Sequence, residues 1–299
     1  MSVWRRLLGR WGGTSPAGDR PRAEAAAAPA TRRRDIPEAL WRQTLARLPF
    51  LTSRSPEELT RLRNLSRLFL MQKEFHGAQG LVITDEMAVA IAAQACLPVL
   101  HRGVDGSSNS ALAVSLPQAL AWYDDFVGIV VHPAEVVALR EWTDENGVVH
   151  HWREVLAGEA MDGGPVMLNW QDVAAAGESA ERGYNVVIHE FIHKMDLRDG
   201  RPDGCPALPA GFLGARTPRA AREAWLAVLQ PEYERFRDAV TIAERFGGPT
   251  PWLDAYGAEA IDEFFAVACE AYFVNRPRFA TDFAPLVALF DAFFKPKQA

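Results

Sequence analysis

His189, Glu190, Phe191, Ile192 and His193 spell H-E-x-x-H inside an apolar stretch, and no other pattern in the chain says as much about chemistry. Two histidines four residues apart on a helix share a face one turn from each other, close enough for both imidazoles to bind one metal ion. Zinc is the ion this spacing implies, and the glutamate after the first histidine is the group a zinc hydrolase uses to move protons. The chain has only seven histidines in 299 residues, so chance seldom produces this arrangement. A buried helix with two satisfied core histidines would explain the apolar neighbours but not Glu190.

Catalytic zinc takes three protein ligands and leaves a fourth position to water. No histidine stands six residues after His193, which excludes the metzincin pattern. Asp196 is the nearest carboxylate, but it lies on the same helix beyond His193 and suits a hydrogen bond to a ligand imidazole better than a bond to the ion. The segment Tyr256 to Phe273, Y-G-A-E-A-I-D-E-F-F-A-V-A-C-E-A-Y-F, reads as a buried helix. Carboxylates there are costly unless paired or metal-bound. Glu263 and Glu270 share a face of it, with Asp262 about a quarter-turn away; one glutamate as ligand and the other as a hydrogen-bond partner would account for both. Spacing does not choose between them.

Four blocks resemble the Mlc titration factor A family of bacterial zinc peptidases: L-P-V-L from Leu97, G-P-V-M-L-N-W from Gly164, H-E-F-I-H-K-M-D from His189, and Y-G-A-x-x-x-x-E-F-F-A-V from Tyr256. The resemblance runs from about Phe50 to the C-terminus. It implies His189, His193 and Glu263 as ligands of one zinc ion per chain, the last because it stands seven residues after the tyrosine. It also implies a hydroxyl contribution from Tyr256, a gluzincin-like site similar to the catalytic domain of anthrax lethal factor, and aminopeptidase-like action on small or unfolded peptide substrates. Ile192 stands where the family has a small residue, and Ala260-Ile261-Asp262 replaces a stretch that more often contains proline. Val104 to Ala119 and Cys205 to Asp254 are longer than usual.

Glu190, adjacent to His189 but turned away from it, is placed to take a proton from a zinc-acidified water and return it to the leaving amine. Tyr256 would donate to the developing oxyanion. The family's name implies a second class of function, capture of a glucose-responsive transcriptional repressor, which a non-catalytic protein with a structural zinc site could also perform.

Several elements must position these groups. Apolar residues from Tyr184 through Ile188, Phe191 and Ile192 to Met195 recur at helical spacing, and Gly200 supplies a stop. Ser55-Pro56-Glu57-Glu58 is a capping box opening a helix, Thr84 caps another toward Cys96, Thr217-Pro218 starts a third through Leu229, and Pro231 starts a fourth ending near Gly247. Phe126 to Val131 and Pro165 to Trp170 read as short strands, the second either a core strand or an edge that could pair with a peptide. The architecture expected is α+β, a mostly helical zincin-like metallopeptidase domain with a small β-sheet.

Residues 36–299 are expected to form that single domain. The first 34 residues differ, carrying eight arginines against two acids, an excess of +6, so the remainder is about −12 in a chain of net −6. They read as a disordered basic tail, residues 1–35, on an acidic domain, which argues against direct nucleic-acid binding. Trp4-Arg5-Arg6-Leu7-Leu8 hints at a twin-arginine signal or an amphipathic anchor, but no apolar core of signal length follows and no 18-residue apolar span exists. No membrane partner is expected, and the cytoplasm is favoured. Cys96, Cys205 and Cys269, odd in number and widely spaced, suggest reduced thiols.

Overall fold

The computed structural model describes residues 35–102, 115–134, 136–143, 149–156, 158–160, 163–209 and 211–295. By their contacts, Ile36–Ala299 make one unit, and all that follows concerns it. The basic stretch at residues 1–34 lies outside the described residues, as does most of Val104 to Ala119.

The fold is α+β and mostly helical. Helices α1 (Glu38–Arg47), α2 (Pro56–Gln72) and α3 (Asp85–Ala95) come first, with strand β1 (Glu74–Gly77) between the second and third. The short α4 (Leu116–Leu120) precedes β2 (Gly128–His132), the hairpin β3 (Val136–Thr143) and β4 (Val149–Leu156), then β5 (Gly158–Ala160) and β6 (Val166–Asn169). Six α-helices follow among the described residues: α5 (Trp170–Ser179), α6 (Val186–Asp196), α7 (Pro218–Phe246), α8 (Ile261–Val274), α9 (Arg276–Asp282) and α10 (Ala284–Phe294). No described helix is long and apolar enough to cross a membrane.

The capping signals work as their chemistry requires. Ser55 Oγ accepts from the Glu58 amide at 3.2 Å while Glu58 Oε2 accepts from the Ser55 amide at 2.8 Å, and Thr84 Oγ1 accepts from the Met87 amide at 3.3 Å. The expected break at Pro231 does not occur: α7 runs on from Pro218 to Phe246 with the proline inside. Pro231 and Ala227, whose carbonyl loses its helical donor, are both exposed, so water can satisfy the orphaned oxygen.

The main sheet has the order β1-β2-β6-β5. The first three strands are parallel, with Phe75 opposite Ile129 and Ile129 opposite Val166, and β5 runs antiparallel to β6, with Glu159 opposite Met167. In β2 the alternation buries Ile129 and Val131. β6 is therefore an interior strand, flanked on both sides, and the edge nearest α6 is β5. A three-residue strand carries no readable periodicity, which is why the sequence pointed to β6 instead.

The core centres on α6 and α8, which pack on each other. Phe191 of α6 enters an aromatic cluster with Phe69, Tyr123 and Phe126, at centroid distances of 5.6, 4.9 and 5.9 Å. All three cysteines are free and buried.

Candidate metal centre

Four residues prepare the start of α6. Gly183, at φ +78°, carries the turn from α5, and a Cβ there would come within 3.1 Å of Trp252 and Ala271, so the left-handed backbone and the close packing both call for glycine. Asn185 caps the helix by accepting from the Ile188 amide at 2.9 Å, and its Nδ2 donates to Gln94 Oε1 on α3 at 2.7 Å. The Asn185 amide donates to Glu270 Oε2, whose partner oxygen Oε1 accepts from His189 Nδ1 at 2.7 Å. Gln94, Asn185, Glu270 and His189 thus form one buried polar chain reaching from α3 to α8. With its proton held on Nδ1 by a carboxylate, the His189 ring turns the lone pair of Nε2 outward.

That lone pair points into a triangle. His189 Nε2 and His193 Nε2 are 3.0 Å apart, and Glu263 Oε2 lies 3.2 Å from the first and 3.1 Å from the second. Tetrahedral zinc holds its donors at about 2.0–2.1 Å, which spaces them about 3.3 Å apart, so the triangle matches such an ion to a few tenths of an ångström. Hydrogen bonds between neutral imidazoles cannot satisfy all three edges, because the His189 proton lies on Nδ1; a shared cation can. Among the described residues this is the group of three side chains whose donor atoms could hold a metal ion.

The surrounding charges favour a cation as well. Burial works against charge on both imidazoles, but hydrogen bonds to Glu263, and for His189 to Glu270 also, more than reverse it and raise both pKa values, that of His189 well above 6.5. Burial acts to raise Glu263, yet the two histidines hold its carboxyl well below the usual range. Glu190 is pushed up to about 7 by burial, with both imidazoles pulling it down and Glu263 and Glu270 pushing it up. Its carboxyl makes no hydrogen bond to another described side chain.

Glu263 and Glu270, which spacing left equivalent, are separated by where α8 lies against α6. Glu263 meets both Nε2 atoms and Glu270 takes the back of the His189 ring. Asp196 does not do what its position three residues after His193 suggested. Its Oδ2 accepts from the amides of Asp203 and Gly204, both at 2.9 Å, so it anchors the loop after α6 instead of holding an imidazole. Loop amides with no other partner compete better for it than a ring along the same helix.

Tyr256 is not on the long helix the sequence suggested. It sits in a separate turn, Ala255–Ala258, and α8 begins only at Ile261. The Asp254 carboxylate caps this turn at 3.0 Å from the Tyr256 amide, and Gly257 lets it lie on α8, since a Cβ there would come within 3.3 Å of Val267. Tyr256 is 39% exposed and its ring centroid is 6.0 Å from that of His189. Gln94 and Asn185 escaped the sequence reading, although each left a signal: Gln94 is the one amide in an otherwise apolar helix end, and Asn185 precedes an apolar helical run as a cap does.

Residues 22–295 match the family model described as glucose-regulated metallo-peptidase M90. The chain belongs to this family. The match to M90 begins well before Phe50, so it extends the similarity toward the N-terminus. Among similar proteins are the Mlc titration factor A of Klebsiella pneumoniae (strain 342), 32% identical over 259 residues and 86% of both chains, and that of Escherichia fergusonii, 32% identical over 255 residues, 85% of this chain and 84% of the relative. The protein of the same name from Salmonella gallinarum is 30% identical over 256 residues, 85% of each. An M90 metallopeptidase requires a metal, and the donor set of His189, His193 and Glu263 is compatible with one.

Proposed function

We propose that the chain is a zinc-dependent peptidase of aminopeptidase-like action, with one zinc ion on His189, His193 and Glu263 and with Glu190 and Tyr256 as catalytic residues. The observation that carries this reading is the donor triangle with edges of 3.0 to 3.2 Å, flanked by a buried glutamate that neither imidazole binds. When bound, the ion acidifies a water molecule and polarises the scissile carbonyl.

Glu190 follows His189 by one residue, about 100° round the helix, so its carboxyl is turned from the His189 ring and would take a proton from a water held at the centre. A carboxyl near pH 7 accepts the water's proton at neutral pH and gives it back to the leaving amine, and its buried setting supports that double role. The Tyr256 hydroxyl, on an exposed turn beside His189, donates to the oxyanion as the carbonyl becomes tetrahedral. An extended peptide is held by backbone pairing with β5, because β6 has its pairing groups occupied on both sides. Peptides and unfolded proteins are the substrates, and the resemblance supports attack at their amino ends.

Glu190→Gln tests the mechanism. The variant should fold and retain stoichiometric zinc while peptide hydrolysis falls by about 10³-fold or more; retained hydrolysis would overturn the role given to Glu190, and wild-type protein purified without zinc would overturn the ligand set.

The relatives' name, a titration factor for Mlc, supports a second proposed role, capture of a transcriptional repressor of that type. A repressor pull-down with Glu190→Gln separates the two: capture that survives the loss of hydrolysis makes binding independent of catalysis.

A further inference from the structure

The residue directly after His193 is a lysine with no exposure at all. Lys194 Nζ donates to Asp125 Oδ2 at 3.1 Å and to the Gly164 carbonyl at 2.9 Å, and lies 4.7 Å from the centre of the Phe126 ring. A second ammonium, that of Lys73, stands 3.9 Å from the same ring and donates to the Phe126 carbonyl at 2.5 Å. Asp125 and Phe126 lead into β2, and Gly164 leads into β6. Burying an ammonium is costly even with an ion-pair partner, and Phe191, Ile192 and Met195 already supply α6 with apolar packing. The lysine has another consequence, which lies in the carbonyl it grips.

Gly164 stands two residues before β6, the strand on which β5 pairs. β5 has only three pairs with β6, Gly158 with Leu168, Glu159 with Met167 and Ala160 with Val166, too few to fix its position on their own. It also lies against α6. We propose that Lys194 is the positioning residue of the substrate strand: its ammonium ties the backbone entering β6, on which β5 pairs, to the helix that carries both histidines, so the peptide-pairing edge and the metal donors share one reference. Lys194 follows His193 without an intervening residue, so a displacement of the start of β6 relative to α6 must break this tie. The kinetic consequence rests on the peptidase reading above; the structural one does not.

The test uses the full-length chain with zinc and the double variant Lys194→Met/Asp125→Asn, which removes both charges of the ion pair together. Amide hydrogen exchange across residues 158–168 should quicken by about tenfold or more while α6 and α8 exchange as in the wild type. The kcat/KM for a pentapeptide should fall about tenfold, while that for an aminoacyl-4-nitroanilide, which has no chain to pair with β5, should stay within about twofold. Lys194→Arg, which keeps the charge and a donor, should recover part of the pentapeptide loss. Exchange at 158–168 that does not change, or that rises equally over the whole domain, overturns the proposal, as does an equal loss on both substrates. Zinc-loaded wild type that cleaves neither substrate overturns the peptidase reading alone, and hydrogen exchange then decides the role of Lys194.

Discussion

Helix α6 and the turn Ala255–Ala258 flank the same candidate metal centre and are built in opposite ways. α6 is buried along nearly its whole length, capped by Asn185, keyed into an aromatic cluster by Phe191 and braced by Glu270. The turn is short, its tyrosine is exposed, and it is held by the Asp254 cap, by Gly257 against α8 and by the Tyr233 hydroxyl donating to Ala258 O at 3.3 Å. The geometry of the proposed ligands is thus a property of the core, whereas the proposed oxyanion donor is carried by a surface element. Changes in the first region should move metal affinity and stability together; changes in the second should move turnover alone.

The largest test of that contrast is Glu263→Ala, which removes a donor from the triangle: zinc measured by atomic absorption after dialysis should drop well below one per chain, and hydrolysis should vanish with it. Zinc that stays stoichiometric would shift the third ligand elsewhere. Tyr256→Phe should lower kcat by about 100-fold with zinc content and melting temperature unchanged; a lowered melting temperature would mean that the turn is part of the core after all. Glu270→Gln should weaken zinc binding by about 10- to 100-fold, read by competition with a chromogenic chelator. It should also lower the melting temperature, because Asn185 and His189 both lean on that carboxylate.

The smallest expected effect is a pH slope in the metal-free protein. Glu190 and Asp196 titrate near 7, raised by burial, and His189 well above its ordinary 6.5. In each case the fold favours the protonated form, so the stability gained is complete below the ordinary pKa and is lost as pH rises through the folded one. Glu263 has the opposite sign, and its contribution is lost only as pH falls below 4.5 toward its depressed value. The melting temperature of metal-free protein should therefore decline by a few degrees between about pH 5 and about pH 8, and saturating zinc should flatten the slope. A slope that survives zinc would place the titrating groups away from the centre.

The local signals were legible in the sequence because they depend on neighbours along the chain. The H-E-x-x-H spacing, the Ser55 and Thr84 caps and the β2 and β6 strands all belong to that class. Legibility ended where distant segments compete. Glu263 and Glu270 lie on one helical face, and only the way α8 rests on α6 gives one to the Nε2 atoms and the other to Nδ1. Asp196 went to the amides of Asp203 and Gly204, whose position no helical wheel contains. Pro231 stayed within α7 because solvent was available to a carbonyl one turn back, and β5 was too short to announce itself.

The buried thiols make the molecule its own recorder of opening. Burial raises the pKa of all three, to about 12 for Cys205 and well above the ordinary thiol value for Cys96 and Cys269, so the native chain presents almost no thiolate to an alkylating reagent. Cys269 stands on α8 between the two glutamates that grip His189, and modifying it requires the packing around α8 to open. Its labelling rate, site-resolved by mass spectrometry and slowed by a bound ion, would time how often the protein lets go of its own centre.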